Sequence, residues 1–213
     1  MNPTLKAPVV VYAESTPNPS AMKFVANKIL IENSFPLEFF NSASAKSSPL
    51  AMELFNFPFV KSVFILRNYI TVFKDDKIEW EDVVMELREF LRKYLSDGKK
   101  VLSSPSLPVS DAPILSEETM NVGNGEAEII VDHTVPTTET EKKIIDVLEQ
   151  YVAPAVAQDG GMIVFRSFND GVVSLLMRGA CSGCPSSTVT LKAGIEALLK
   201  KFIPEVKEVV SAN

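Results

Sequence analysis

The sequence predicts an α+β protein made of two small domains joined by an acidic, Ser/Pro-containing linker. Three observations predict it. Residues 1–95 hold 11 Lys+Arg and 11 Asp+Glu, residues 138–213 hold 8 and 9, and residues 96–137 hold 2 and 7. The middle stretch thus carries −5 of the net −6, and it has no Lys or Arg from Val101 to Thr137. That stretch also contains "SSPSLPVSDAP" and "NVGNGEAE", compositions that resist packing and read as a linker. On both sides of it, strand-like apolar runs are interspersed with helical periodicity. The expected division is residues 1–95, a linker over 96–137, and residues 138–213.

In the first domain "APVVVYAES" and "MKFVANKILIE" read as strands. "SPLAMELFN" reads as a short helix with Ser48 at its N-cap. "VKSVFIL" and "YITVFK", joined by "RN", read as the next two strands. A helix over Glu81 to Leu95 places Val83, Val84, Leu87, Phe90, Leu91 and Tyr94 on one face. The sheet is expected to be mostly antiparallel. No metal-ligand cluster or nucleophile–base pair stands out here. The "TPNP" turn is read as a turn first and a site second.

Within the linker, "AEIIVDHT" has the composition of a short strand, and His133 reads as a solvated residue. The second domain opens with a capping box, Thr138 and Glu141. Ile144, Ile145, Leu148, Val152 and Val156 form the apolar stripe of the helix that follows. Pro154 lies inside the stripe, so a kink or stop is expected near Ala153. Asp159, Gly160 and Gly161 read as the end of the helix. "MIVFRSF" and "VVSLLMR" flank "NDG", a hairpin signal. A second helix, with Leu191, Ile195, Leu198 and Phe202 on its apolar face, must stop before Pro204. "EVKEVV" supplies a third strand. The expected C-terminal unit is therefore a three-stranded sheet with helices.

Between the second strand and that helix lies "GACSGCPSS", which contains both cysteines of the chain, Cys181 and Cys184. Pro185 suits the first helical position, so the pair sits at a helix N-terminus, where unpaired N–H groups and the helix dipole favour negative charge. Thiolates are expected to form there more easily than in ordinary cysteine, on a surface loop outside the core. Three centres suit two reduced thiols. Structural zinc needs four ligands. A redox disulfide needs only the pair, but thioredoxin-like folds place a βα unit before it, and here a helix and an antiparallel hairpin come first. A four-iron cluster takes four thiolates, which two chains related by a two-fold axis would supply equally.

The region from Thr138 to Val210 resembles the NifU C-terminal domain found in the Nfu iron–sulfur proteins. "GACSGCPSS", "TLKAGIE" and "PEV" carry the resemblance. "STPNPSAMKF" and "FPFVKSVFILRNYITVFK" are similar to the Nfu N-terminal domain. The resemblance implies a non-enzymatic carrier. Cys181 and Cys184 of two subunits would bind one [4Fe-4S] cluster, received from an upstream scaffold and passed to apo acceptor proteins. Met162 departs from the family, whose members often have an acidic residue there. The competing class is a thiol–disulfide oxidoreductase.

The net charge of −6 gives no reason to expect a nucleic-acid partner. No apolar run approaches the length of a membrane span, and "MNPTLKAPVVVYAES" lacks the apolar core of a secretory signal. A cytoplasmic location, where thiols stay reduced, is the expectation.

Overall fold

The computed structural model describes residues 8–32, 36–103, 128–129, 133–182 and 185–212, with backbone alone at 128–129 and 185–188. The fold is α+β, with two separate sheets. The Ser/Pro-containing stretch of the linker beyond Ser103 lies outside the described residues.

The N-terminal sheet contains β1 (Val11–Ser15), β2 (Ala21–Ala26), β3 (Leu37–Phe39), β4 (Val60–Leu66), β5 (Tyr69–Lys74) and β6 (Glu128–Ile129), all antiparallel, in the order β1-β2-β5-β4-β3-β6. α1 (Pro49–Leu54) begins at Ser48, whose Oγ accepts the Ala51 N–H, as its sequence position predicts. α2 (Trp80–Ser96) extends one residue beyond the expected helix at each end. β3 was not anticipated. A three-residue strand has too little sequence to show a period, and it exists because its register against Ile65, Phe64 and Val63 buries all three residues. The linker segment "AEIIVDHT" does provide a strand, since β6 pairs with Leu37 and Glu38.

Side chains alternate across a strand, and the two faces of this sheet have different occupants. Phe24, Val63, Ile65, Ile70 and Val72 pack on the face covered by α1 and α2, against Leu50, Leu54, Leu87 and Leu91. Lys23, Phe64, Tyr69 and Thr71 occupy the alternate positions, and all four are also buried. Their cover comes from the C-terminal region, where Met162 packs against Phe64 and Tyr69.

α3 (Glu139–Val147) has the predicted capping box complete: Thr138 Oγ1 accepts from Glu141 N–H, and the Glu141 carboxylate accepts from Thr138 N–H. The helix then widens into a π-turn over Leu148–Val152, where Ala153 N–H donates to Leu148 O five residues back. α4 (Ala153–Gln158) follows. The irregularity expected of Pro154 is therefore a local widening one turn ahead of the proline, which has no N–H to complete a regular ladder.

β7 (Gly161–Asn169) and β8 (Val172–Gly179) form the hairpin, with positive φ at Asp170 and Gly171 in its turn. β9 (Glu208–Ser211) pairs parallel to β8. α5 (Pro185–Phe202) starts at Pro185 and ends before Pro204. Its buried stripe is Ile195 and Leu199, continued by Ile203 just beyond the helix, with Leu191 and Leu198 at the margin. The expectation for Phe202 is corrected. It is 45% exposed and stacks on Tyr151 at 5.2 Å, because the helical stripe drifts and Leu199 takes the inward position. Among the described residues, no helix is long and apolar enough to cross a membrane.

His133 is also corrected. It is not solvated: its Nδ1 accepts the Phe165 N–H at 2.7 Å, and Thr134 N–H donates to Phe165 O at 3.0 Å. The end of the linker thereby seals the edge of β7 beside the bulge that lies between Phe165 and Ser167.

Candidate functional site

β8 ends at Gly179 with φ +63, and the chain turns there into Ala180, Cys181 and Ser182. Ser182 closes the turn, its N–H and its Oγ both reaching Gly179 O, at 2.9 and 2.8 Å. Ala180 N–H donates to Gly160 O at 3.2 Å. The two backbones cross closely at this point. A Cβ on Gly179 would lie 2.7 Å from Gly160 O, and one on Gly161 would lie 2.6 Å from Cys181 Sγ and 2.8 Å from Arg178 O. Asp159, Gly160 and Gly161 therefore do more than end a helix. Asp159 caps α4 and Gly160 turns with φ +81, while Gly161, first residue of β7, vacates the space that the Cys181 sulfur fills.

Cys181 was expected on a surface loop with its thiol poised to ionise. The structure corrects both points. Cys181 is only 6% exposed and joins the core of the C-terminal region. Burial, and secondarily the negative charge of Asp159, pushes its pKa up to about 12. Cys181 is not at the helix start: it belongs to the turn after β8, four residues before α5 begins at Pro185, and the dipole effect fades within the first turn of a helix. Cys184 lies outside the described residues. Among the described residues, no three His, Cys, Asp or Glu side chains converge on a point that could hold a metal ion.

The N-terminal region supplies side chains that sequence reasoning did not connect with this loop. Asn18, from the "TPNP" turn, donates through Nδ2 to Ala180 O at 3.3 Å and to Ser182 O at 3.2 Å. Tyr69 Oη donates to Gly161 O at 3.0 Å and Thr71 Oγ1 to Gly160 O at 2.8 Å. Lys23 Nζ donates to Gln158 O at 3.0 Å and pairs with Glu14 at 3.2 Å. Burial raises the Tyr69 phenol far above its ordinary pKa, so it stays a donor throughout the physiological range. Arg178 of β8 faces Glu38 of β3 at 3.7 Å. The sequence signals were the "TPNP" turn and two polar positions, Lys23 and Thr71, inside otherwise apolar strands.

Chemically, a two-cysteine loop offers two soft sulfur donors, which suit iron–sulfur clusters, zinc or copper(I). The donor set fits half of a four-thiolate cluster. The position of Cys181 also sets a condition: its sulfur must turn outward before it can bind anything that a second chain shares.

The chain matches two family models, "Scaffold protein Nfu/NifU N terminal" over residues 11–98 and "NifU-like domain" over residues 144–210. It is 35% identical over 204 residues to the "NFU1 iron-sulfur cluster scaffold homolog, mitochondrial" of Drosophila willistoni, covering 96% of this chain and 64% of that one. It is 36% identical over 204 residues to a "NifU-like protein" of Schizosaccharomyces pombe, covering 94% of this chain and 71% of that one. The chain thus spans slightly less than two thirds of the length of the fly relative. A solution NMR structure of a NifU-like protein from Saccharomyces cerevisiae matches 49% of this chain and 92% of its own, with a TM-score of 0.43 and 24% identity.

These relatives correct the expected cytoplasmic location, because the Drosophila proteins are described as mitochondrial. An apolar leader or span marks only secretory and membrane-spanning chains. Mitochondrial targeting segments are amphipathic and Arg-rich, so apolar runs have no bearing on this compartment.

Proposed function

The chain belongs to the Nfu/NifU family of iron–sulfur cluster scaffold proteins, and on that premise we propose that it is a carrier, not an enzyme. Two copies hold one [4Fe-4S] cluster through Cys181 and Cys184 of each and pass it to apo acceptor proteins. The cluster is cargo. The observation that carries this reading is the cysteine inventory: two thiols with two residues between them, between a strand and a helix, in a chain with no others. A four-thiolate cluster on such chains has to be shared. A shared site at an interface is released when the subunits part, which suits delivery.

A thiol–disulfide oxidoreductase attacks through a thiolate; burial disfavours that form at Cys181, so in that reading Cys184 would be the attacking thiol. A carrier can tolerate a buried resting thiol if loading is coupled to exposure.

Anaerobic reconstitution with iron and sulfide tests the proposal. The expected result is a broad visible charge-transfer absorption with bound acid-labile sulfide, both lost on chelation. A protein that stays colourless under these conditions, yet reduces model disulfides at oxidoreductase rates without iron, would support the competing class.

A further inference from the structure

The helix-free face of the N-terminal sheet and the turn between β1 and β2 lie on the cysteine loop, and their hydrogen bonds to the backbone there share one form. Asn18, Tyr69, Thr71 and Lys23 each donate from a side chain to a backbone carbonyl of the C-terminal region. The acceptors are Gln158, Gly160, Gly161, Ala180 and Ser182, which bracket Cys181 on both strands of the crossing. Asn18 alone spans the carbonyls on either side of Cys181. Its own turn is braced: Thr16 Oγ1 donates to Asn18 O at 2.9 Å, Ser20 N–H donates to Asn18 Oδ1 at 3.0 Å, and Trp80 Nε1 donates to Pro19 O at 2.9 Å. Because every acceptor is a backbone carbonyl, these bonds depend on the path of the loop backbone and not on its side chains.

We propose that this face is a detachable cap, which grips the closed cysteine loop by its carbonyls and must lift before a second copy of the chain can reach Cys181. Three observations support a detachable cap over a fixed core. The apolar cluster at the contact, Phe64, Leu66 and Tyr69 with Val25, Phe73 and Met162 packed against them, has fewer members than either regional core. Each region has its own larger core that does not depend on the contact. The remainder is polar, with Lys23, Glu38 and Thr71 buried beneath it, and polar contacts between domains are the kind that open. The face and a second chain would occupy the same ground over the loop. Cap opening and pairing are then linked, and any partner that binds this face of the N-terminal sheet once it has lifted favours loading.

The consequence for loading rests on the carrier reading above; the cap itself does not, and it is tested in metal-free protein. The full-length apo chain is reduced and treated with iodoacetamide at neutral pH, and label at Cys181 is quantified by mass spectrometry. The triple variant Asn18→Ala, Tyr69→Phe, Thr71→Val removes four side-chain hydrogen bonds to the loop, each of modest net worth, and is expected to label at Cys181 at least about tenfold faster. Its scattering radius of gyration should rise while its circular dichroism stays that of a folded chain. If this variant is unfolded, Asn18→Ala alone is used, and a smaller acceleration is expected. An unchanged labelling rate in folded variants, or a faster rate with unchanged radius of gyration, overturns the cap.

Discussion

Cys181→Ala is expected to abolish retention of iron and acid-labile sulfide, and Cys184→Ala is expected to do the same. Each substitution removes one of two donors per chain, and two symmetric losses leave a four-iron cluster with two of its four thiolates. Cys181→Ala should also lower stability. Cys181 is buried among core residues, so truncating it forfeits packing and is expected to cost about 1 kcal/mol. The comparison must therefore be made below the unfolding transition, with urea curves for both proteins. Wild-type levels of iron and sulfide in either folded variant would show that the ligand assignment is wrong.

Gly179→Ala is expected to produce the largest loss of stability among conservative changes near the site. Gly179 has φ +63, and a Cβ there would lie 2.7 Å from Gly160 O, 3.0 Å from Gly161 Cα and 3.3 Å from Phe64 Cδ1. Two of these neighbours are backbone and cannot rotate away. Left-handed strain and overpacking together are expected to cost on the order of 3 kcal/mol. Gly194→Ala is the control. It lies within α5 with nothing within 4 Å of its Cβ position, so it should be neutral or stabilising by about 0.5–1 kcal/mol. Equal urea midpoints for the two variants would contradict the close backbone crossing beneath the cysteine loop.

Local chemistry accounts for what was legible beforehand. Ser48, the Thr138–Glu141 box, the Asn169–Asp170–Gly171 turn and Pro185 each act through bonds to neighbours in sequence, so each could be located from the sequence alone. β3 was not legible, because its stability comes from β4 and not from its own three residues. Phe202 was misassigned because a four-residue stripe cannot distinguish it from Leu199 when the helix ends nearby. The burial of Cys181 was least legible of all. It depends on Gly161 leaving room from twenty positions upstream and on Asn18 reaching across 162 and 164 residues to the flanking carbonyls. A side chain that binds a distant carbonyl leaves no periodic trace. In hindsight, the "TPNP" turn and the polar Lys23 and Thr71 within apolar strands were the positions to connect.

Stoichiometry tests the central claim most directly. Native mass spectrometry of the anaerobically reconstituted chain should show the cluster only on dimers, with about four irons per two chains. The dimer should weaken when the cluster is chelated, because the site does not exist in one chain. Clusters carried on single chains, or dimers whose abundance is indifferent to iron, would contradict a cargo shared between Cys181 and Cys184 of two copies.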